Sequence, residues 1–414
     1  MSASGARFAT GGRCAPDTSS GKRVGGPSAI CAIAAEGLSC RQFPDPVPPL
    51  HRFLLFVLLA LTLSGCARPG PASLVEVERP KGAKIVTILV ASDRVPANDR
   101  FHSFTAGRSD RLRYSEVTIS IPPDHRPPQI EWPQGRPDPR HSFAVVGRRD
   151  LTTAEFVHTA RRITQTSASG ATAGLFVHGF NYTYQEALFR LAQMAADTGV
   201  QGPPILFDWP SQGEVTGYVA DRDSAAFARD DLVTVLSDLS GGGVKTTMLA
   251  HSMGAWLAVE AVRQLSLMGR KDVIRSVDQL VLAAPDIDID LLKRQLAVTE
   301  RLRKPIVILA SKDDIALALS KRLAGSAATA GSLDVDDPRT RELALKENLD
   351  IVDISKLPTL NGSSHDRFAA LAAVYPHLRQ GFDNPVAGTG AIVLNSVGSA
   401  ISAPFRLGGS LLAQ

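Results

Sequence analysis

"TTMLAHSMGAWLAV", residues 246–259, decides how the chain is read. An apolar, strand-like run ends at His251, a helical run begins beyond it, and Ser252 stands between them. Two readings compete. A serine at a helix start is commonly a cap, its side chain accepting a backbone N–H of the first turn. A serine on a sharp strand-to-helix turn is instead a nucleophile elbow, which demands small residues two places before and two after it. Ala250 and Gly254 meet that demand, with alanine at the first position where glycine is usual.

The surrounding pattern supplies the strand and the helix. From residue 84 onward, apolar β-branched runs alternate with amphipathic helical stretches, the signature of a mostly parallel sheet with helices on both faces. Strands are predicted at 84–92, 115–122, 142–147, 172–179, 203–209, 244–251, 279–285, 305–311 and 349–355. Several are apolar throughout, as strands buried on both faces should be. Thr152 with Glu155 and Thr183 with Glu186 have capping-box spacing. A further helix is expected after Asp223 or Ser224, ending at the glycines 241–243. The proline-rich stretch 122–141 reads as a surface loop.

The order of the remaining polar residues suits acyl transfer. "LFVHGFNYTY" (175–184) ends a strand and opens a capped helix, so the Phe180 N–H is a candidate oxyanion donor beside that of Met253. Each such donor is typically worth about 3–4 kcal/mol. His178 in this stretch is read as structural. An acid and then a histidine must follow the serine. Asp313 and Asp314 close the strand at 305–311, and His365 lies in a small-residue loop after the strand at 349–355. Asp314 is the expected acid, with Asp313 and Asp286 as alternatives; His377 is a weaker rival to His365. In this scheme His365 takes the serine proton and the aspartate holds the imidazole.

Taken together these residues resemble the α/β-hydrolase superfamily. They look most like a bacterial branch known only as an α/β hydrolase of unknown function. That branch shows H-G-F-N (here His178–Asn181), D-W-P-S (Asp208–Ser211), A-H-S-M-G (Ala250–Gly254), A-P-D (Ala284–Asp286) and S-x-x-D-x-A-L (Ser311–Leu317). The resemblance spans about residues 84–375. It implies an α/β-hydrolase fold over 84–383 and favours Asp314 over Asp313, but implies no substrate. The branch often reads G-H-S at its histidine, where this chain has Ser364-His365-Asp366.

The amino-terminal part reads as an address. "HRFLLFVLLALTLSGCARPG" (51–70) has a basic flank, an apolar run of about eleven residues from Phe53 to Leu63, and a small-small-cysteine ending at Cys66. The run is too short for a membrane-crossing helix, which needs about twenty residues. It fits a signal peptide over 51–65. Its ending resembles the lipobox of bacterial lipoproteins, which implies lipidation of Cys66. The expected product is a periplasm-facing lipoprotein with a tether over 66–83, and Ala67 slightly favours the outer membrane. Residues 1–50 are rich in Gly, Ser and Pro. They read as a disordered extension or, preferably, as lying upstream of the true start.

Composition narrows the partners. Residues 1–65 carry six basic and three acidic groups, leaving 39 basic and 38 acidic in the remainder. A nearly neutral body argues against nucleic acid as the partner. The four cysteines, Cys14, Cys31, Cys40 and Cys66, all precede the body, so no disulfide framework is expected there. No metal or cofactor is expected either: no His/Cys cluster has ligand spacing, and Asp286–Asp290 reads as a helix start. The expected activity is that of a serine esterase. The alternatives are a serine peptidase of the same fold and a non-catalytic envelope interaction protein. Residues 210–224 and 320–348 are the expected pocket walls, and the 384–414 tail is left open between disorder and an apolar strap.

Overall fold

In a computed structural model, residues 68–168, 170–199, 201–324, 328–357, 359 and 364–371 and the strand at 392–393 are described. Cys66, His377, the proposed extension and signal peptide, and most of the 384–414 tail lie outside them.

Among the described residues, ten strands form one sheet. They are β1 (Lys84–Pro96), β2 (Phe104–Ile121), β3 (Ala144–Leu151), β4 (Ala173–Val177), β5 (Pro204–Asp208), β6 (Thr246–His251), β7 (Val277–Ala283), β8 (Ile306–Ala310), β9 (Leu349–Asp353) and β10 (Ile392–Val393). Their order is β10-β9-β8-β7-β6-β4-β5-β1-β2-β3. β1, β2 and β3 pair antiparallel, and every other pairing is parallel. β10 falls within the tail and pairs with β9.

The apolar runs are continuous because both sheet faces are covered. Successive strand side chains point to opposite faces. Leu175 and Val177 of β4 join one core cluster while Phe176 joins the other; Met248 and Ala250 of β6 likewise part from Leu249. On the first face lie the helices α1 (Thr153–Thr166), α3 (Tyr218–Gly241), α4 (Met253–Leu267) and α5 (Lys271–Ser276). There too lie α6 (Ile289–Leu296) and α8 (Pro338–Glu347). On the second lie α2 (Tyr184–Thr198) and the turn around Phe368. α7 (Ile315–Ala324) follows β8. Thr152 and Glu155 form the full capping box on α1.

β4 and β6 are neighbours, yet β4 feeds α2 on one face and β6 feeds α4 on the other. Chains that diverge to opposite faces leave a crevice at the carboxyl ends of the strands, the usual place for a site in such sheets. Gly179 and Ser252 sit at its two lips.

Three features differ most from expectation. β2 starts eleven residues early because the polar stretch from Phe104 pairs with β1, Pro96 opposite Phe104. α3 starts at Tyr218 rather than after Asp223. The expected tether is docked on the body from Arg68: Pro71–Leu74 makes a 3₁₀ turn and Leu74 is buried.

Candidate active site

Ser252 has φ +53° and ψ −120°, and its side chain makes no cap hydrogen bond to α4. Its backbone conformation is one that non-glycine residues rarely adopt, at a cost of order 1–3 kcal/mol. The serine therefore stands on a strained turn and caps nothing. Its neighbours explain how the strain is held. A Cβ on Gly254 would lie 2.1 Å from the His178 carbonyl oxygen, so only glycine lets α4 start against the loop after β4. A Cβ on Gly179 would lie 2.8 Å from His251 Nδ1 and 3.0 Å from Ser252 Cβ. Ala250 is fully buried.

That loop is fixed by side chains from four elements. Trp209 stacks on the His178 ring and donates from Nε1 to the His178 carbonyl at 2.7 Å. His178 Nδ1 lies 2.9 Å from the Gly179 carbonyl oxygen, and Nε2 stands 3.4 Å from Asp208 Oδ1 without hydrogen-bond geometry. Asp208 accepts from Arg94 Nε at 2.9 Å and Ser92 Oγ at 2.8 Å, all three buried. Burial alone would raise the Asp208 carboxyl, but Arg94 and the hydrogen bonds hold it below its ordinary range. Arg94 also donates to the carbonyls of Ser211 (2.7 Å) and Tyr182 (3.1 Å). Asp221 accepts from the Ser211 hydroxyl and from the Asn181 N–H, the latter at 3.3 Å. Asn181 has φ +62°, a conformation asparagine tolerates better than most residues. Between these fixed points, the Phe180 and Met253 N–H groups donate to no acceptor among the described residues.

On the other side, His365 Nδ1 lies 2.7 Å from Asp314 Oδ2. Asp314 Oδ1 accepts from the Leu317 N–H at 3.1 Å, which orients the carboxylate from the first turn of α7. Burial pulls the His365 imidazole down, yet the Asp314 hydrogen bond and charge outweigh it and set it above its ordinary range. His251 packs 4.6 Å from the His365 ring and is held well below that range, by burial first and then by His365. A neutral His251 adds no like charge when His365 takes a proton. Neither Ser252 Oγ nor His365 Nε2 makes a hydrogen bond to a described residue.

The two other acids go elsewhere. Asp313 accepts from both Nη atoms of Arg367 and from Ser311 Oγ. Arg367 first of all holds its carboxyl below the ordinary range. Asp286 accepts from Tyr218 OH at 2.8 Å and Ser320 Oγ at 2.6 Å, and its N–H donates to the Ser252 carbonyl at 3.2 Å. It lines a cavity of about 230 Å³ with Met253 and Trp256. Both expected pocket walls contribute, Tyr218 and Arg222 from one, Ser320, Lys321 and Thr329 from the other. Among the described residues, no group of three or more His, Cys, Asp or Glu is placed to hold a metal ion.

Sequence reasoning missed Arg94, Asp221 and Arg367. Arg94 left a trace, since Asp93-Arg94 interrupts an apolar run that the fold buries. Asp221 and Arg367 lie in ordinary polar surroundings and left none.

A strained serine between a parallel strand and a helix, facing a glycine-bearing loop at a sheet's switch point, defines an α/β hydrolase. Residues 158–381 match the family described as alpha/beta hydrolase of unknown function (DUF900), and the chain belongs to that family. Similar solved structures include a "predicted CIB-like hydrolase" from Thermoplasma acidophilum, 15% identical over 65% of this chain and 92% of that one, with TM-score 0.29. Another is the esterase Est22, 12% identical over 81% and 90%, with TM-score 0.33. An esterase of Rhizomucor miehei is 10% identical over 81% and 92%, with TM-score 0.28. These likenesses are distant. No curated protein matches the chain.

Proposed function

We propose that this hydrolase is a serine esterase, with Ser252 as nucleophile, His365 as base and Asp314 as the acid that orients it. The observation that carries the reading is the strained, uncapped Ser252 on a turn whose neighbour, His251, packs against the His365–Asp314 pair. Ser252 Oγ attacks the ester carbonyl while His365 Nε2 takes its proton. The Phe180 and Met253 N–H groups receive the oxyanion. His365 returns the proton to the leaving alkoxide, and water activated by the same ring then hydrolyses the acyl-enzyme, releasing the carboxylic acid and restoring the Ser252 hydroxyl. The missing serine–histidine hydrogen bond fits a free enzyme, in which catalytic contacts are often loose until substrate binds.

The cavity beside Met253 suits a short acyl group, and its lining of Tyr218, Trp256 and Asp286 suits a polar one. The apolar run and Cys66 support a lipid anchor facing the periplasm, and Ala67 slightly favours the outer membrane. The test compares p-nitrophenyl acetate, a long-chain p-nitrophenyl ester and a p-nitroanilide. Turnover of the acetate that vanishes in Ser252→Ala is expected. Turnover of the anilide alone would make the protein a peptidase. Metabolic palmitate labelling lost in Cys66→Ser tests the anchor.

A further inference from the structure

Arg68 is the first described residue, and its guanidinium spends all five N–H donors on the site's rim. Nε and one Nη2 hydrogen bond the two carboxylate oxygens of Glu186, the former at 2.7 Å. Nη1 reaches Asn181 Oδ1 at 2.7 Å and the Gly213 carbonyl at 2.5 Å, and Nη2 reaches the Asn181 carbonyl at 2.5 Å. Glu186 also accepts from the Thr183 N–H and hydroxyl at the start of α2. The segment behind Arg68 is seated as well: Gln185 Nε2 donates to the Pro69 carbonyl at 2.7 Å, and Leu74 is buried in the core.

We propose that Arg68 is a positioning residue for the oxyanion loop, which makes the amino-terminal segment a working part of the active site. The inference rests on the serine-esterase reading and on the role given there to the Phe180 N–H. Asn181 follows Phe180 and is held in its left-handed conformation from two sides. Asp221 takes its N–H, and Arg68 binds both its carbonyl and its side chain. Gly179, on the other side of Phe180, is wedged against His251 and Ser252. Phe180 thus hangs between two fixed residues, and releasing Asn181 frees its N–H to swing off the oxyanion position.

The energy at issue is positional. The Arg68 side chain is 41% exposed, and an exposed ion pair adds little to folding stability. What the planar fork supplies is geometry, which a lysine cannot match with one point charge.

The test uses the full chain and its Arg68→Ala and Arg68→Lys variants. Each is assayed for kcat and KM on p-nitrophenyl acetate, for the rate of Ser252 phosphonylation by a fluorophosphonate, and for thermal midpoint. We expect both variants to lose kcat and phosphonylation rate together, on the order of ten- to a hundredfold, the scale of small misplacements in active sites. KM and thermal midpoint stay at the wild-type values. Wild-type kcat in Arg68→Ala would overturn the proposal. So would a loss that follows the thermal midpoint or falls on KM alone, since that is a structural or binding role. Full recovery in Arg68→Lys would assign the effect to charge and overturn the positioning role too. A wild type that never labels at Ser252 sinks the esterase reading itself, a separate result from labelling that ignores Arg68.

Discussion

The two sides of the crevice are built differently. The oxyanion side is held by a buried network: Arg94, Asp208, Trp209, Ser211 and Asp221 together fix the two ends of the loop, His178 and Asn181. On the acid–base side the imidazole of His365 is oriented by Asp314, which the Leu317 N–H holds in turn, with Arg367 and Asp313 bracing the loop beside it. A group that must only offer an N–H gains from rigidity, because preorganised donors need no rearrangement as charge develops. A group that must take and return a proton needs an orienting partner and some exposure. His365 is 16% exposed in its side chain, while Asp314 is fully buried there. Tyr182 joins the two sides: its hydroxyl reaches Asp366 at 3.4 Å while its carbonyl accepts from Arg94.

The contrast predicts that damage to the acid–base side shows as lost turnover and damage to the buried Arg94–Asp208 network as lost stability, while the exposed Arg68 clamp lies outside that network. Asp314→Asn leaves the loop folded but misorients the imidazole, and kcat on p-nitrophenyl acetate should fall about 10⁴-fold, as in other triads. The pH profile adds a sign. His365 acts as a base only when neutral and its pKa is raised, so kcat/KM should climb with pH and level off above the ordinary imidazole range near 6.5. Asp314→Asn should move that midpoint down. Next comes Arg94→Ala, which strands the Asp208 carboxylate in the interior. Denaturant unfolding should show a loss of about 3–5 kcal/mol. If Arg94→Ala were to cost activity while sparing stability, the contrast would be broken.

Smaller effects sharpen it. Asp313→Asn removes an acceptor from the buried Arg367, yet Asp313 is half exposed and water can take its place. A loss of about 1 kcal/mol is expected, with the pH midpoint unmoved. A shift of that midpoint would give Asp313 a share in catalysis. Tyr218→Phe removes the hydroxyl from Asp286 at the cavity wall, at a cost of about 1 kcal/mol or less in folding. Its mark should be a changed preference between acetate and longer acyl esters.

Much of this was legible in the sequence, for a physical reason. Strands β4 to β9 are buried on both faces, so they read as uninterrupted apolar runs and were placed within a few residues. The amino-terminal half of β2 was not, because "FTAGRSDRLRY" is mostly polar and is held by backbone pairing to β1, with only Phe104, Leu112 and Tyr114 packing on the cores. The site divides in the same way. Ser252 and Gly254 announce themselves through the steric demand of the turn. Asp313 and Asp314 look alike as sequence, and only the fold shows Asp314 on His365 and Asp313 on Arg367. Arg68 reads as tether in the sequence, since nothing local marks a residue whose partners lie 113 to 145 positions away.

The most direct measurement is mass spectrometry of the full chain after treatment with a fluorophosphonate, beside Ser252→Ala and His365→Ala. The account predicts one phosphonate on the peptide carrying Ser252. That label should be absent in Ser252→Ala and should form far more slowly in His365→Ala. Folded wild-type protein that stays unmodified, or a label that forms at the same rate without His365, would contradict it.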